Sequence, residues 1–201
     1  MAMTLPRSRT AISRHAWRCA RTLEDLADLM AGWLAGHLAT RPGYLHPAPD
    51  DETTPLLPVL GRACRAGYLT DCSQPGTLGP AWDGTPHQDR AYIAGYAPRA
   101  VAGDLADLAQ EHDLVAIVQP PPGVRPGLRP EAMAVSLRDG SEVQWAGAYT
   151  PPMQLRHAWH GLHQDAHAAL AGAYQVALVD PVWGRPDRLR DVLADTLAGA
   201  Q

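Results

Sequence analysis

DLVAIVQ, residues 113–119, places five apolar side chains in an unbroken run between an acid and an amide. A run this short, rich in β-branched residues and bounded by polar ones, reads as a strand buried on both faces. YQVALVD, residues 174–180, repeats the pattern. Around these runs the spacing turns helical, with Val101, Leu105 and Leu108 before the first and Leu189, Val192, Leu193 and Leu197 after the second. Strands that alternate with helices point to an α/β domain. Between the two runs, AMAVSLRDGSEVQWAGA (132–148) reads as a β-hairpin turned at Asp139-Gly140. An Asp-Gly pair supplies the two left-handed positions of a tight turn. A helix of weaker pattern follows Pro151-Pro152 to about Ala171, and a last helix covers 187–198.

Toward the N-terminus, Thr22 with Asp25 three residues on is a capping-box signature. Leu23, Leu26, Met30, Trp33 and Leu38 follow at helical spacing, and Arg41-Pro42-Gly43 ends that helix. The loop YLHPAPDDETT (44–54) leads to Thr54 as an N-cap, with Pro55 first in a helix that buries Leu56, Val59, Leu60, Ala63 and Cys64. Gly67 stops it. A short strand then runs into Asp71-Cys72-Ser73-Gln74, a polar loop closed by Pro75-Gly76. A Gly/Pro-rich loop (75–87), a strand (91–96) and a stiff proline-rich loop (120–130) complete the chain. Residues 1–15 read as a flexible N-terminus and 16–201 as a single α/β domain. The expected architecture is a mixed sheet of about five or six strands flanked by helices.

Composition narrows the chemistry. The 201 residues include no Phe, Lys or Asn and only three Ile, the signature of a GC-rich genome. All 17 basic residues are therefore Arg. Schiff-base and phosphate-loop lysines are excluded, so an anion site must use Arg forks, His or backbone amides. A net charge of −4 disfavours general nucleic-acid binding. Cys19, Cys64 and Cys72 are odd in number and lack metal-knuckle spacing, which fits free thiols in a reducing cytoplasm. No stretch is long enough to span a bilayer.

Binding groups concentrate on loops held by a rigid sheet. Thr70, Asp71, Ser73 and Gln74 carry short polar groups at such a strand end, although local turn hydrogen bonds would also explain them. Gln88 and Arg90 lead into the 91–96 strand, where an Arg could fork onto phosphate or carboxylate. Trp183 and Arg185 follow the last strand and could stack on a ring and hold its phosphate. Glu52, after Asp50 and Asp51, could act as a base, but acids before a helix also complement its dipole. His157, His160, His163 and His167 fall on one helical stripe, yet no acidic or Cys third ligand accompanies them. Cys72 with His87 is a candidate nucleophile pair without a recognised signature. No native metal and no cofactor are assigned.

The first half of the chain resembles an uncharacterised family of small actinobacterial and actinophage proteins. The resemblance rests on Trp17, TLEDL (22–26), WLAG (33–36), PGY (42–44), ETTPLLPVL (52–60), GYLTDCSQPG (67–76) and QDRAYIAGY (88–96). Its most specific element is Gly-x-x-Thr-x-x-Ser-Gln-Pro-Gly. The family pattern sets Gln beside Arg, whereas here Asp89 separates Gln88 from Arg90. The resemblance implies no activity.

The leading expectation is a cytoplasmic protein that binds a small anionic or nucleotide-like ligand where the loops 71–76, 88–90 and 183–185 converge. In the phage–host setting of the resembled family, sequestration of a signalling nucleotide is one version of it. A hydrolase or transferase using Glu52 or Asp71 with Arg90 is the second reading. The third is a protein–protein interaction module using Trp17, Trp33 and the 120–130 loop. No membrane partner is expected, and a second copy of the chain stays a candidate partner.

Overall fold

The two apolar runs lie side by side. In the computed structural model, which describes residues 8–124 and 130–199, β4 (Val115–Gln119) pairs antiparallel with β7 (Tyr174–Trp183). The remaining strands are β1 (Leu69–Gln74), β2 (Leu78–Pro80), β3 (Pro86–Ala97), β5 (Met133–Arg138) and β6 (Ser141–Ala146). The seven strands run in the order β4-β7-β3-β5-β6, and β1 and β2 also pair with β3. The helices are α1 (Arg9–Cys19), α2 (Leu23–Leu34), α3 (Leu57–Arg65), α4 (Arg99–Glu111), α5 (Pro152–Ala158), α6 (Gln164–Gly172) and α7 (Arg188–Gly199). The fold is α/β, as the alternation of runs and helical spacing implies.

Every described strand pairing is antiparallel, so the sheet is not mixed, and it has one strand more than expected. The physical reason lies in what an unbroken apolar run reports. Such a run signals burial of both faces, and parallel sheets are the usual case because helices cover each side. Here Val176, Leu178 and Ile93 pack into a large core shared with the helices. The alternate residues Ala177, Val179, Ile117 and Tyr92 pack with Val135 and Ala146 of the β5–β6 hairpin. The chain's own hairpin thus covers the second face. Ile93 and Leu178 are 0% exposed, and truncating either to Ala costs about 2–5 kcal/mol.

Local signals hold where they are local. Thr22 and Asp25 form the reciprocal capping box at α2. Asp139 and Gly140 adopt positive φ at the hairpin tip. Other boundaries move. α2 ends at Leu34, where Gly36 takes φ +75°, well before Arg41. A 3₁₀ turn, Asp51–Leu56, precedes α3 and includes both Thr54 and Pro55. The segment read as one helix after Pro151 is two, α5 and α6, broken near Gly161 at φ +86°.

α1 starts at Arg9, inside the segment read as flexible. Ser8 caps it, and its buried Trp17 donates Nε1–H to the Thr40 carbonyl at 2.7 Å. Ser13 Oγ accepts from the Ala39 amide at 2.9 Å. These bonds moor α1 to the 39–40 segment, a non-local anchor that helical spacing does not reveal. Of the 120–130 loop, residues 125–129 lie outside the described residues, as do 1–7 of the N-terminus. No described helix is long and apolar enough to cross a membrane.

Candidate functional site

The polar run after Gly67 is strand, not loop: Thr70, Asp71, Ser73 and Gln74 all lie in β1. Its pairing with β3 slips between Thr70 and Cys72, leaving Asp71 as the extra residue of a bulge. Bulges re-aim side chains. Asp71 meets Arg41, whose Nη2 donates to Oδ1 at 2.8 Å and whose Nη1 donates to the Asp71 carbonyl at 3.0 Å. The Tyr96 hydroxyl donates to the other carboxylate oxygen at 3.4 Å. The guanidinium is boxed by rings, with Cζ 5.1 Å from Tyr44, 5.3 Å from Trp33 and 5.7 Å from Trp159. Cation–π contact of this kind holds an arginine's plane fixed. Its Nε is buried without a partner among the described residues, as is Trp33 Nε1.

Arg41 and Tyr44 separate two concavities. On one side is a chamber of about 100 Å³ lined by Asp50, Thr53, Thr70, Asp71 and Ser73. Burial, and then hydrogen bonding to Asp50, push the Tyr44 hydroxyl up to about 12. On the other side is a cleft of about 580 Å³ lined by Arg14, Arg18, Arg41, His46 and His160. Among the described residues no Asp or Glu lines it. Arg14 and Arg18 stand one turn apart on α1 and are exposed. Among the described residues neither side chain has a hydrogen bond or ion pair. Like charges at that spacing repel by a few tenths of a kcal/mol, so nothing internal favours them.

The other predicted residues form a packed junction. Gln74 Nε2 donates to the Arg90 carbonyl at 3.2 Å and to Ser136 Oγ at 3.2 Å. Arg90 Cζ lies 3.9 Å from the Trp183 ring centroid. Its Nε donates to the Pro181 carbonyl at 3.0 Å and its Nη1 to the Ala134 carbonyl at 2.7 Å. Gly76 packs so tightly that an added Cβ would sit 2.5 Å from the Arg185 carbonyl oxygen. Arg185 binds the fully buried Asp180 through both Nε, at 2.6 Å, and Nη2, at 2.7 Å. That bond raises the Arg185 guanidinium above its ordinary value. Gln88 lies in β3 between β2 and β5. Glu52 is exposed on the 3₁₀ turn.

The predicted residues therefore divide. Thr70, Asp71 and Ser73 reach the chamber, whereas Gln74, Arg90 and Trp183 tie strands together and Arg185 pairs with Asp180 of the strand it follows. Asp71 takes Arg41 as its arginine. Cys72 and His87 are far apart, because Cys72 pairs with Ala94, seven residues or roughly 23 Å along β3 from His87. Cys72 Sγ lies 2.9 Å from the Tyr92 hydroxyl. Burial pushes its thiol up, although the residue as a whole is exposed. The four histidines do not share a helical stripe: His157 is in α5, His160 follows it, His163 caps α6 and His167 is within it. Among the described residues no group of three or more His, Cys, Asp or Glu could hold a metal ion.

Arg14, Arg18, Arg41 and Tyr44 escaped the sequence reading. Arg41 and Tyr44 flank the Pro42-Gly43 pair read as a helix stop, and their partners are distant in sequence. The Arg14/Arg18 spacing was visible, but only as part of a polar terminus. No curated protein matches the chain. A family model described as a domain of unknown function, DUF6919, matches residues 12–200. That match takes in most of α1, the aromatic box, the chamber and the whole described sheet, and the chain belongs to the DUF6919 family.

Proposed function

We propose that the protein binds an anionic small molecule in the cleft between α1 and the 39–47 loop. One observation carries the reading: Arg14, Arg18, Arg41, His46 and His160 line this cleft, no acid lines it among the described residues, and only Arg41 of the three arginines has a carboxylate partner, in a chain whose net charge is −4. Arg14 and Arg18, which have no partner among the described residues, raise the local concentration of anions and lose their mutual repulsion when one binds. The volume, about 580 Å³, lies within the range of small-molecule sites. Tyr44 lines the cleft too, and its ring suits a ligand with a flat portion. The arginines offer forked donors to phosphate or carboxylate. Binding of this kind needs no nucleophile, and a nucleotide-like ligand fits both the charge and the ring.

The test is release of the natural ligand. Protein purified without a metal-affinity tag is denatured, and the supernatant is compared with a buffer blank by mass spectrometry. A stoichiometric anionic metabolite, absent from the Arg14→Ala/Arg18→Ala double variant, is the expected result. The reading fails if wild-type protein releases nothing and binds no inorganic pyrophosphate by calorimetry at low ionic strength.

A further inference from the structure

The two apolar runs at the centre of the sheet are buried to different extents. Val176, Ala177, Leu178 and Val179 of β7, flanked by β4 and β3, are all buried. β4 carries almost the same sequence, Val115-Ala116-Ile117-Val118, yet Val115, Ala116 and Val118 stay partly exposed. The difference is neighbours. Among the described residues β4 pairs only with β7, so the backbone groups on its outer side have no strand beside them.

An open edge is a template for pairing with another chain, and proteins ordinarily blunt it with a short strand, proline, charge or a bulge. Here the ladders run β4-β7-β3-β1 and β2-β3-β5-β6 through the shared β3, which leaves β1, β2, β4 and β6 at edges. Three of these are blunted. β1 bulges at Asp71, and Arg41 bonds that acid. β2 has three residues and ends in Pro80. β6 leaves Val143 unmatched in a bulge and exposes Glu142. β4 has none of these features. Its register against β7 is unbroken from Val115 to Gln119, and it contains neither proline nor charge.

We propose that β4 pairs antiparallel with β4 of a second copy of this chain, joining the two sheets across a two-fold axis. The edges themselves select the occupant. Against any other described edge of a second copy, β4 would meet a bulge, a proline or a charge. Against β4 it meets the one described edge that is equally bare. Centred on Ile117, the pairing sets Val115 of each copy opposite Gln119 of the other, and Ala116 opposite Val118. No like charges face each other along the strand, and apolar cross-strand pairs each contribute about 0.2–1 kcal/mol. A self-complementary contact uses up both bare edges and closes at two copies. No described β4 residue lines the α1 cleft, so the dimer and the anion reading stand or fall separately.

Sedimentation velocity from micromolar to millimolar protein reads the association directly. Wild-type protein should pass from monomer to dimer and stop there. Hydrogen exchange at the two ends of that range should show alternate amides of 115–119, those pointing away from β7, gaining protection in the dimer. Ala116→Lys brings one ammonium from each copy to the junction and should weaken the dimer by about tenfold or more. Val143→Lys, on the blunted β6 edge, should leave it unchanged. Thermal melts show that both variants are folded, and the hydrogen-exchange comparison needs no variant. Wild-type protein that stays monomeric throughout overturns the proposal. So does a dimer that survives Ala116→Lys, that Val143→Lys dissolves, or in which the 115–119 amides gain no protection.

Discussion

Two described arginines rest on aromatic rings, and one of them, Arg41, also lines two concavities. Arg90 stacks on Trp183 and gives two donors to main-chain carbonyls, locking β3 to the end of β7 and to β5. Arg41 sits among Trp33, Tyr44 and Trp159, gives two donors to Asp71, and forms part of the lining of two concavities. Residue type and an aromatic neighbour are the same in both. What differs is where the remaining hydrogen bonds go. An arginine whose donors end on backbone is a strut, and one whose side chain lines a cavity presents its charge to that space. The same accounting separates Arg185, paired with buried Asp180, from Arg14 and Arg18, which have no partner among the described residues.

The contrast is broken most directly at the strut. Arg90→Ala leaves the Pro181 and Ala134 carbonyls without their donors and should cost about 3 kcal/mol, read as a lower urea midpoint. Anion affinity should persist under conditions where the variant is folded. A variant as stable as wild type would make the two arginines equivalent. At the cleft, Arg14→Ala/Arg18→Ala should weaken pyrophosphate binding by about 30-fold, or ~2 kcal/mol, for two charge-assisted contacts. Its melting temperature should hold or rise slightly, because the i,i+4 repulsion on α1 disappears.

A pH series sharpens the comparison further. Burial raises the thiols of Cys64 and Cys72, so the folded state holds protons that the unfolded chain releases more readily. Stability from these groups is fully present below the ordinary thiol value of 9 and declines as pH rises past it. Tyr44 adds a decline between its ordinary 10 and about 12. Unfolding curves from pH 7 to 11 should be level to about 9 and then fall. Cys72→Ser should flatten part of that fall without moving anion affinity at pH 7, because Cys72 does not line the cleft. The smallest effect belongs to Glu52→Gln. That exposed side chain should change stability by less than about 0.5 kcal/mol and leave binding unaltered.

Much of the local architecture was legible. The capping box at Thr22, the Asp139-Gly140 turn and the two apolar strands each depend on residues within about four positions of one another, and pattern reads such signals well. The candidate site was half legible. Thr70, Asp71 and Ser73 were found through their polar run, but Asp71 reaches the chamber through a bulge, and a bulge has no sequence signature of its own here. Arg41 lies 30 positions from Asp71, and Trp159 lies far beyond both. No spacing rule connects them.

By itself, the sequence determined the class of the domain, the absence of lysine chemistry, and the strand and helix identities that follow from periodicity. Burial of apolar surface fixes those, and it depends on the order of polar and apolar residues. Only the tertiary structure decided that the second sheet face is covered by a hairpin, that every described pairing is antiparallel, and which described arginines lack a partner. Hydrogen-bond accounting requires both partners, and in this chain the partners of Arg41 and Arg90 become neighbours only when β1, β3, β5 and β7 assemble.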